Sequence, residues 1–261
     1  MWRETFEPFV HGFTTGPTHS RGFIHFYKSI SIRTRRSKDE RMGCREDLLK
    51  IYELLHGYFG DLHWWPADSP FEVMVGAILT QNTAWTNVEK AISALKDRNL
   101  LSPAALFRLD EEILAGIIRP SGYYHVKAKR LKSLVRFILD EYSGNIEIMC
   151  TEALPVLREK LLNVRGVGPE TADSIILYAC RKPVFISDAY TQRILQRHRL
   201  IPEDADGSQI RTLFMTHLPH NPSLFNQFHA LLVHTGKTFC RKKPKCDFCP
   251  LRILITRYDP R

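Results

Sequence analysis

From Cys44 onward, apolar residues return every three or four positions almost without a break. That spacing lines one face of an α-helix and cannot line one face of a strand, whose period is two. "REDLLKIYELLHGYF" reads as an amphipathic helix. "SPFEVMVGAILTQNT" opens on a Ser-Pro start signal and is apolar enough to be a buried central helix. "AWTNVEKAISALKD" follows as its exposed partner, and "SGYYHVKAKRLKSLVRFILDEYSG" as a long basic helix ending at Gly144. The segments "GPETADSIILYAC", "SDAYTQRILQRHRLI", "GSQIRTLFMTHL" and "NPSLFNQFHALLVHTGKTFC" continue the pattern. Short β-like runs such as "PVFIS" are too few to build a sheet. The expected fold is therefore all-α, with about ten helices and no internal repeat.

Charge narrows the partner. Lys and Arg number 37 against 28 acids, a net charge of +9. Such an excess suits a polyanion, most often nucleic acid, although a solvated basic surface has the same composition. No apolar run approaches the length of a membrane span. The first residues lack the basic start and apolar block of a secretory signal. Of six cysteines, Cys240, Cys246 and Cys249 fall within ten residues, and Cys44, Cys150 and Cys180 are scattered. One tight cluster in a chain of this size points to an intracellular (cytoplasmic or nucleoid) protein with a metal site, not to a disulfide framework. Residues 1–41, which include "HGFTTGPTHSRGFIHFYKSISIRTRRSKDE", keep no sustained period. They read as a disordered arm or as an extension ahead of a start at Met42, and no function is assigned to them.

"LREKLLNVRGVGPETADSIILYA" spells helix, tight turn, helix. Gly166 and Gly168 permit positive φ and close backbone approach, and Pro169 suits a first helical turn. Free amides at such a turn make a phosphate site, and equally a plain helix cap. Asp188, just ahead of "AYTQRIL", is placed as an N-cap.

Taken in order, Leu162, Gly166-Val167-Gly168, Thr171-Ala172, the apolar "VFIS" and Asp188 resemble the endonuclease III-like helix-hairpin-helix (HhH-GPD) superfamily of DNA glycosylases. The likeness covers about residues 45–250. It implies a two-lobed helical fold with the active site in the cleft between lobes. The glycosylase region would be residues 42–261, with a central lobe at 62–180 and a second lobe of 44–61 plus 181–261. It makes Asp188 the catalytic carboxylate, a role compatible with capping, because backbone amides and the helix dipole hold a cap ionised. Bifunctional members carry a nucleophilic lysine eighteen positions before that aspartate, where this chain has Glu170. A carboxylate forms no imine, so the resemblance implies base removal by water. Glu170 is then a helix-start acid at the edge of the base pocket.

"DLHWWPADSPFEVMVGAILTQNTAW" looks like the 3-methyladenine glycosylase branch of that superfamily. Trp64 and Trp65 would sandwich a flipped base, and aromatic faces favour electron-poor or cationic ones. On their own, adjacent tryptophans fit a core equally well. Gln81 and Asn82 match the place where family members fill the gap left by the flipped base; a helix end would also account for them. Lys127 and Lys129, with Arg130 and Lys132, are placed to neutralise phosphates.

"GKTFCRKKPKCDFCPLRILITRYDPR" resembles the family's C-terminal iron–sulfur loop. There four cysteines hold a [4Fe-4S] cluster. Cys240, Cys246 and Cys249 fit, and the fourth, due near Ile255, is missing. A labile cluster, a zinc held with histidine, and a loop without metal all remain open. The reading implies a monomeric, monofunctional glycosylase that acts on double-stranded DNA bearing an alkylated purine. The alternatives are a bifunctional glycosylase/lyase for oxidised pyrimidines and a non-catalytic DNA-binding protein.

Overall fold

The structure, a computed structural model, describes residues 45–254. The arm expected at residues 1–41 lies outside these residues, as does Ile255. Among the described residues the chain is all helical, with no strand. The helices are α1 (Arg45–Phe59), α2 (Pro70–Leu79), α3 (Trp85–Lys96), α4 (Pro103–Arg108), α5 (Glu111–Ile117) and α6 (Tyr124–Tyr142). After them come α7 (Ile146–Thr151), α8 (Leu154–Leu162), α9 (Pro169–Ser174), α10 (Ala189–Arg197), α11 (Gly207–His217) and α12 (Pro222–Thr238). Directly after α9 the chain widens into one π-helical turn, Ile175–Ala179. Helices α4, α5 and α7 are the ones that apolar spacing did not separate. With six or seven residues each, they are too short to show a period, but each starts on a capping side chain: Ser102, Asp110 or Asn145.

Helix α2 is the centre of the first half of the fold. Ser69 caps it, accepting from the Glu72 amide at 3.2 Å, and every residue from Phe71 to Leu79 is buried. Burial of each such apolar side chain contributes about 1.5–3 kcal/mol. Around α2 pack α3, α6, α9 and the π-turn, and α6 in turn covers α4 and α5. The second half gathers on α12, which packs against α1, α10 and the π-turn. The extended run before Asp188 has no partner strand. It is held by side-chain packing instead: Val184, Phe185 and Ile186 are fully buried, and the Phe185 ring stacks on Phe214 at 3.5 Å. Phe225 and Phe228 close on its edges. Rigid packing of this run fixes where α10, and so Asp188, begins.

Lys127, expected at the phosphates, is not on the surface. It is 1 % exposed, and its ammonium donates to the carbonyls of Leu79 (2.8 Å) and Ser121 (2.7 Å) and to Oγ1 of Thr83 (2.5 Å). The last turn of α2 leaves carbonyls without helical partners, and the lysine satisfies one of them while tying α2 to the start of α6. Burial, with Arg130 nearby, pulls its pKa down to about 8. Lys132 is likewise engaged, donating to the carbonyls of Leu106, Phe107 and Leu109 at the end of α4. The scattered cysteines include one bonded pair: Cys150 in α7 is joined to Cys180 after the π-turn, with Cα atoms 4.9 Å apart.

His198, at the end of α10, is buried, its Nδ1 has no partner among the described residues, and burial pulls its pKa down to about 4. The unfolded chain therefore binds a proton between pH 6.5 and 4 that the folded chain refuses. Stability should fall as pH drops through that window, by on the order of 3 kcal/mol from this group. Urea melts of the wild type and His198→Phe at pH 7 and 4.5 check this: the variant should lose less stability between the two.

Candidate active site

Asp188 sits at the N-cap of α10 and is buried. Its Oδ1 accepts from the Thr191 amide at 2.7 Å, and its Oδ2 lies 3.6 Å from Nε2 of His229. Burial works to raise the carboxyl pKa, but His229 and the Thr191 amide outweigh it and hold it below the ordinary range. A fixed, ionised carboxylate is the result, able to stabilise positive charge or take a proton from water.

Three groups around it were not legible in the sequence. His229, in α12, is buried, and its Nδ1 lies 2.5 Å from the Tyr178 hydroxyl on the π-turn. Tyr178 is held as a neutral phenol, its pKa raised well above the usual by burial and by the charge of Asp188. Lys237, in the last turn of α12, places its ammonium 5.4 Å over the Trp64 ring. Desolvation lowers its pKa, and Asp188 pulls the other way. Tyrosine and histidine at helical spacing look like core, and fifty-one positions separate the bonded pair.

Trp64 and Trp65 are both half-buried beside these groups. Trp65 stacks on Tyr178 (centroids 5.0 Å apart) and meets the edge of Trp85 at 5.1 Å. Its ring lies over Gly76 of α2, where a Cβ would come within 3.2 Å of it. The buried Trp64 indole Nε1 makes no hydrogen bond of ordinary length among the described residues, but Trp64 stands close enough to the Tyr178 hydroxyl to oppose the rise in its pKa. The two rings thus form part of a wall near the Asp188 carboxylate. Glu170 stands in the exposed first turn of α9, and its pKa is raised by partial desolvation and then by Asp188, with His229 opposing. Its charge is thus felt at Asp188, although it makes no bond to it.

The hairpin joins α8 to α9. Arg158 reaches across it to grip Asp173 through two bonds, 2.7 and 3.2 Å long. Asp173 is buried, and burial holds its carboxyl above the ordinary range although Arg158 and Arg211 work to lower it. Gly166 has φ of 90°, and a Cβ there would sit 2.3 Å from Cγ of Arg130. Gly168 is open, with nothing within 4 Å of where its Cβ would be. A phosphate can therefore approach the backbone there. Val167 does not face outward: it is buried, and its amide is spent on Val164 O at 3.0 Å. Gln81 is also not a free wedge. Its Nε2 donates to Gly166 O (3.1 Å) and to Thr171 Oγ1 (2.9 Å), while its Oε1 accepts from Arg130. It braces the hairpin from the end of α2. Asn82 alone of that pair is exposed, in the left-handed region with φ of 53°.

An outer groove of about 810 Å³ is lined by Lys129, Arg136 and Arg165, but also by Glu111, Asp140 and Glu141, and excludes the Asp188 site. Lys129 is exposed.

The three cysteines of the loop lie close enough together for Cys240 and Cys246 to act on the Cys249 thiol. Cys240 is buried with its Sγ 3.3 Å from the Arg197 guanidinium, Cys246 is exposed, and the Cys249 thiol is pushed up by burial. Among the described residues no group of three or more His, Cys, Asp or Glu side chains is placed to hold a metal ion. Arginines of α10 also secure the loop: Arg193 bonds Cys240 O at 2.6 Å, and Arg197 bonds the carbonyls of Arg241 and Lys242.

The profile of the HhH-GPD superfamily of base excision DNA repair proteins matches residues 75–220. A protein of Methanocaldococcus jannaschii that carries the name of a DNA repair glycosylase is 46 % identical over 79 % of the chain and 94 % of its own length. The structure of an H. pylori 3-methyladenine DNA glycosylase bound to 1,N6-ethenoadenine superposes with a TM-score of 0.64. It is 28 % identical over 75 % of this chain and 98 % of that one. A trapped endonuclease III–DNA covalent intermediate shares the fold at a TM-score of 0.70 and 23 % identity, covering 82 % of this chain and 96 % of that one.

Two lysines two positions apart should behave oppositely. Lys127→Met should destabilise the protein by roughly 2–3 kcal/mol in chemical denaturation, since it strands buried carbonyls. It should leave the salt dependence of DNA binding as it is. Lys129→Ala should keep the stability and reduce the slope of log K against log salt by about one, measured by fluorescence anisotropy.

Proposed function

This chain belongs to the HhH-GPD superfamily of base excision DNA repair proteins and is a DNA N-glycosylase; we propose that it is a monofunctional one. In this reading it hydrolyses the glycosidic bond of a damaged base, an alkylated purine, flipped out of double-stranded DNA. The observation that carries it is the pairing of a buried, ionised Asp188 with a carboxylate, Glu170, at the start of the hairpin helix.

The exposed Gly168 backbone takes a phosphate, and Lys129 and the cations of the outer groove take others. The target nucleotide leaves the stack and enters the cleft between residues 62–180 and the helices that flank them, with Asn82 facing the gap. Trp64 and Trp65 offer the base an aromatic wall. As the bond from C1′ to the base nitrogen breaks, its electron pair leaves with the base and positive charge builds on the sugar. Asp188 stabilises that charge and accepts a proton from the attacking water, so that an abasic site remains. An N-alkylated purine already carries positive charge and a weakened bond, and so asks for little acid catalysis. The Lys237 ammonium over Trp64 leaves a cationic base to stack away from that face.

The same lysine favours one second reading. Its amine lies near Asp188 with a lowered pKa, and a neutral amine there would attack C1′ and give a bifunctional glycosylase/lyase.

Duplexes bearing 3-methyladenine, 7-methylguanine, uracil or thymine glycol separate these readings. Monofunctional action gives breaks only after hot alkali, whereas breaks without alkali, trapped by borohydride and lost in Lys237→Met, establish the second reading. Asp188→Asn should slow excision roughly 100-fold or more with DNA binding retained. Full activity in that variant would remove Asp188 from the chemistry.

A further inference from the structure

The Asp188 carboxylate uses only one of its oxygens for capping. Oδ1 takes the Thr191 amide, and Nε2 of His229 lies 3.6 Å from Oδ2, itself without a hydrogen-bond partner among the described residues. On the far side of the same ring, Nδ1 lies 2.5 Å from the Tyr178 hydroxyl. A buried phenol keeps its proton and must give it to an acceptor; the acceptor within reach is Nδ1 of an imidazole that carries its own proton on Nε2. Tyr178 also stacks its ring on Trp65, so one line of contacts runs from the aromatic wall to the carboxylate.

We propose that Tyr178 and His229 are positioning residues for Asp188: the tyrosine hydroxyl donates to Nδ1, fixing the tautomer whose Nε2–H faces Oδ2. This rests on the reading of Asp188 as the catalytic carboxylate. The N–H dipole holds the carboxylate rotamer and favours its charged form at the moment DNA arrives. That help is needed then, because phosphates and the loss of water both favour protonation of a buried carboxylate. Other charged groups felt at this centre are Glu170 from α9, which works against ionisation of Asp188, and Lys237 from α12, which works for it. Tyr178, on the π-turn, is neutral. A histidine in this place is thus not an acid for the leaving base, since its proton points to the aspartate.

Two readouts test the idea on the full chain. Nitrogen-15 NMR of labelled histidines, with His229 assigned by the signal lost in His229→Gln, should show Nδ1 bare and Nε2 protonated near neutral pH. In Tyr178→Phe that preference should vanish. Single-turnover excision against pH should show the acidic limb of Tyr178→Phe displaced upward by about one unit, a roughly tenfold loss at low pH, with affinity for undamaged duplex unchanged. His229→Gln, whose amide N–H can stand near the Nε2 place, should retain more activity than His229→Leu. A protonated Nδ1 in the wild type, or a Tyr178→Phe pH profile identical to the wild type, overturns the relay. Should the wild type release no base from any duplex, the proposed function fails, while the tautomer measurement still decides whether the relay exists.

Discussion

At Gly166 there is no room for a single additional carbon, and much of the hairpin region depends on that. The stem of Arg130 lies where a Cβ would be, so the hairpin backbone and α6 touch directly. Gln81 then bridges the end of α2, the Gly166 carbonyl and the start of α9, while its own oxygen is held by the same Arg130. Any side chain at position 166 would push these three helices apart and carry the outward-facing Gly168 with them. Glycine here serves close packing of the hairpin on α6 as well as the backbone's left-handed bend.

A second set of constraints positions the groups around Asp188. The π-turn is a local widening at the end of α9 that carries Tyr178, and α12 carries His229 to meet it. Such insertions recur at functional sites because they re-aim a side chain without breaking the helix. The carboxylate between them belongs to a third element, fixed by a cap at its amide and by the packed run Val184–Ile186 behind it. The site is therefore assembled from three elements that have no local reason to be neighbours; burial of the aromatic and aliphatic core brings them together.

The main departures from what the residues suggest share one cause. Lys127, Gln81 and Val167 all looked like groups free to meet DNA, and all are consumed inside the protein. Helix ends and tight turns leave backbone carbonyls and amides unpaired, and the nearest polar groups are recruited to satisfy them. A polar residue near such an end is ambiguous in sequence: it reads as functional or as structural with equal ease. The cysteine loop is similar. Its three thiols suggest a cluster, and Arg193 and Arg197 are recruited to the carbonyls of the same loop.

What the sequence by itself determined was the helical class, the caps at Ser69 and Asp188, and the position of the glycine hairpin. Each of these depends on neighbours within a few positions, where spacing and residue type act directly. Glu170 in place of an amine was legible for the same reason. Only the tertiary structure decided which polar groups face inward, that Cys150 meets Cys180, and that Tyr178 and His229 stand beside Asp188. Those contacts join residues 30 to 51 positions apart, or more. They exist because helices pack by burying their apolar faces, and a linear pattern does not say which faces will meet.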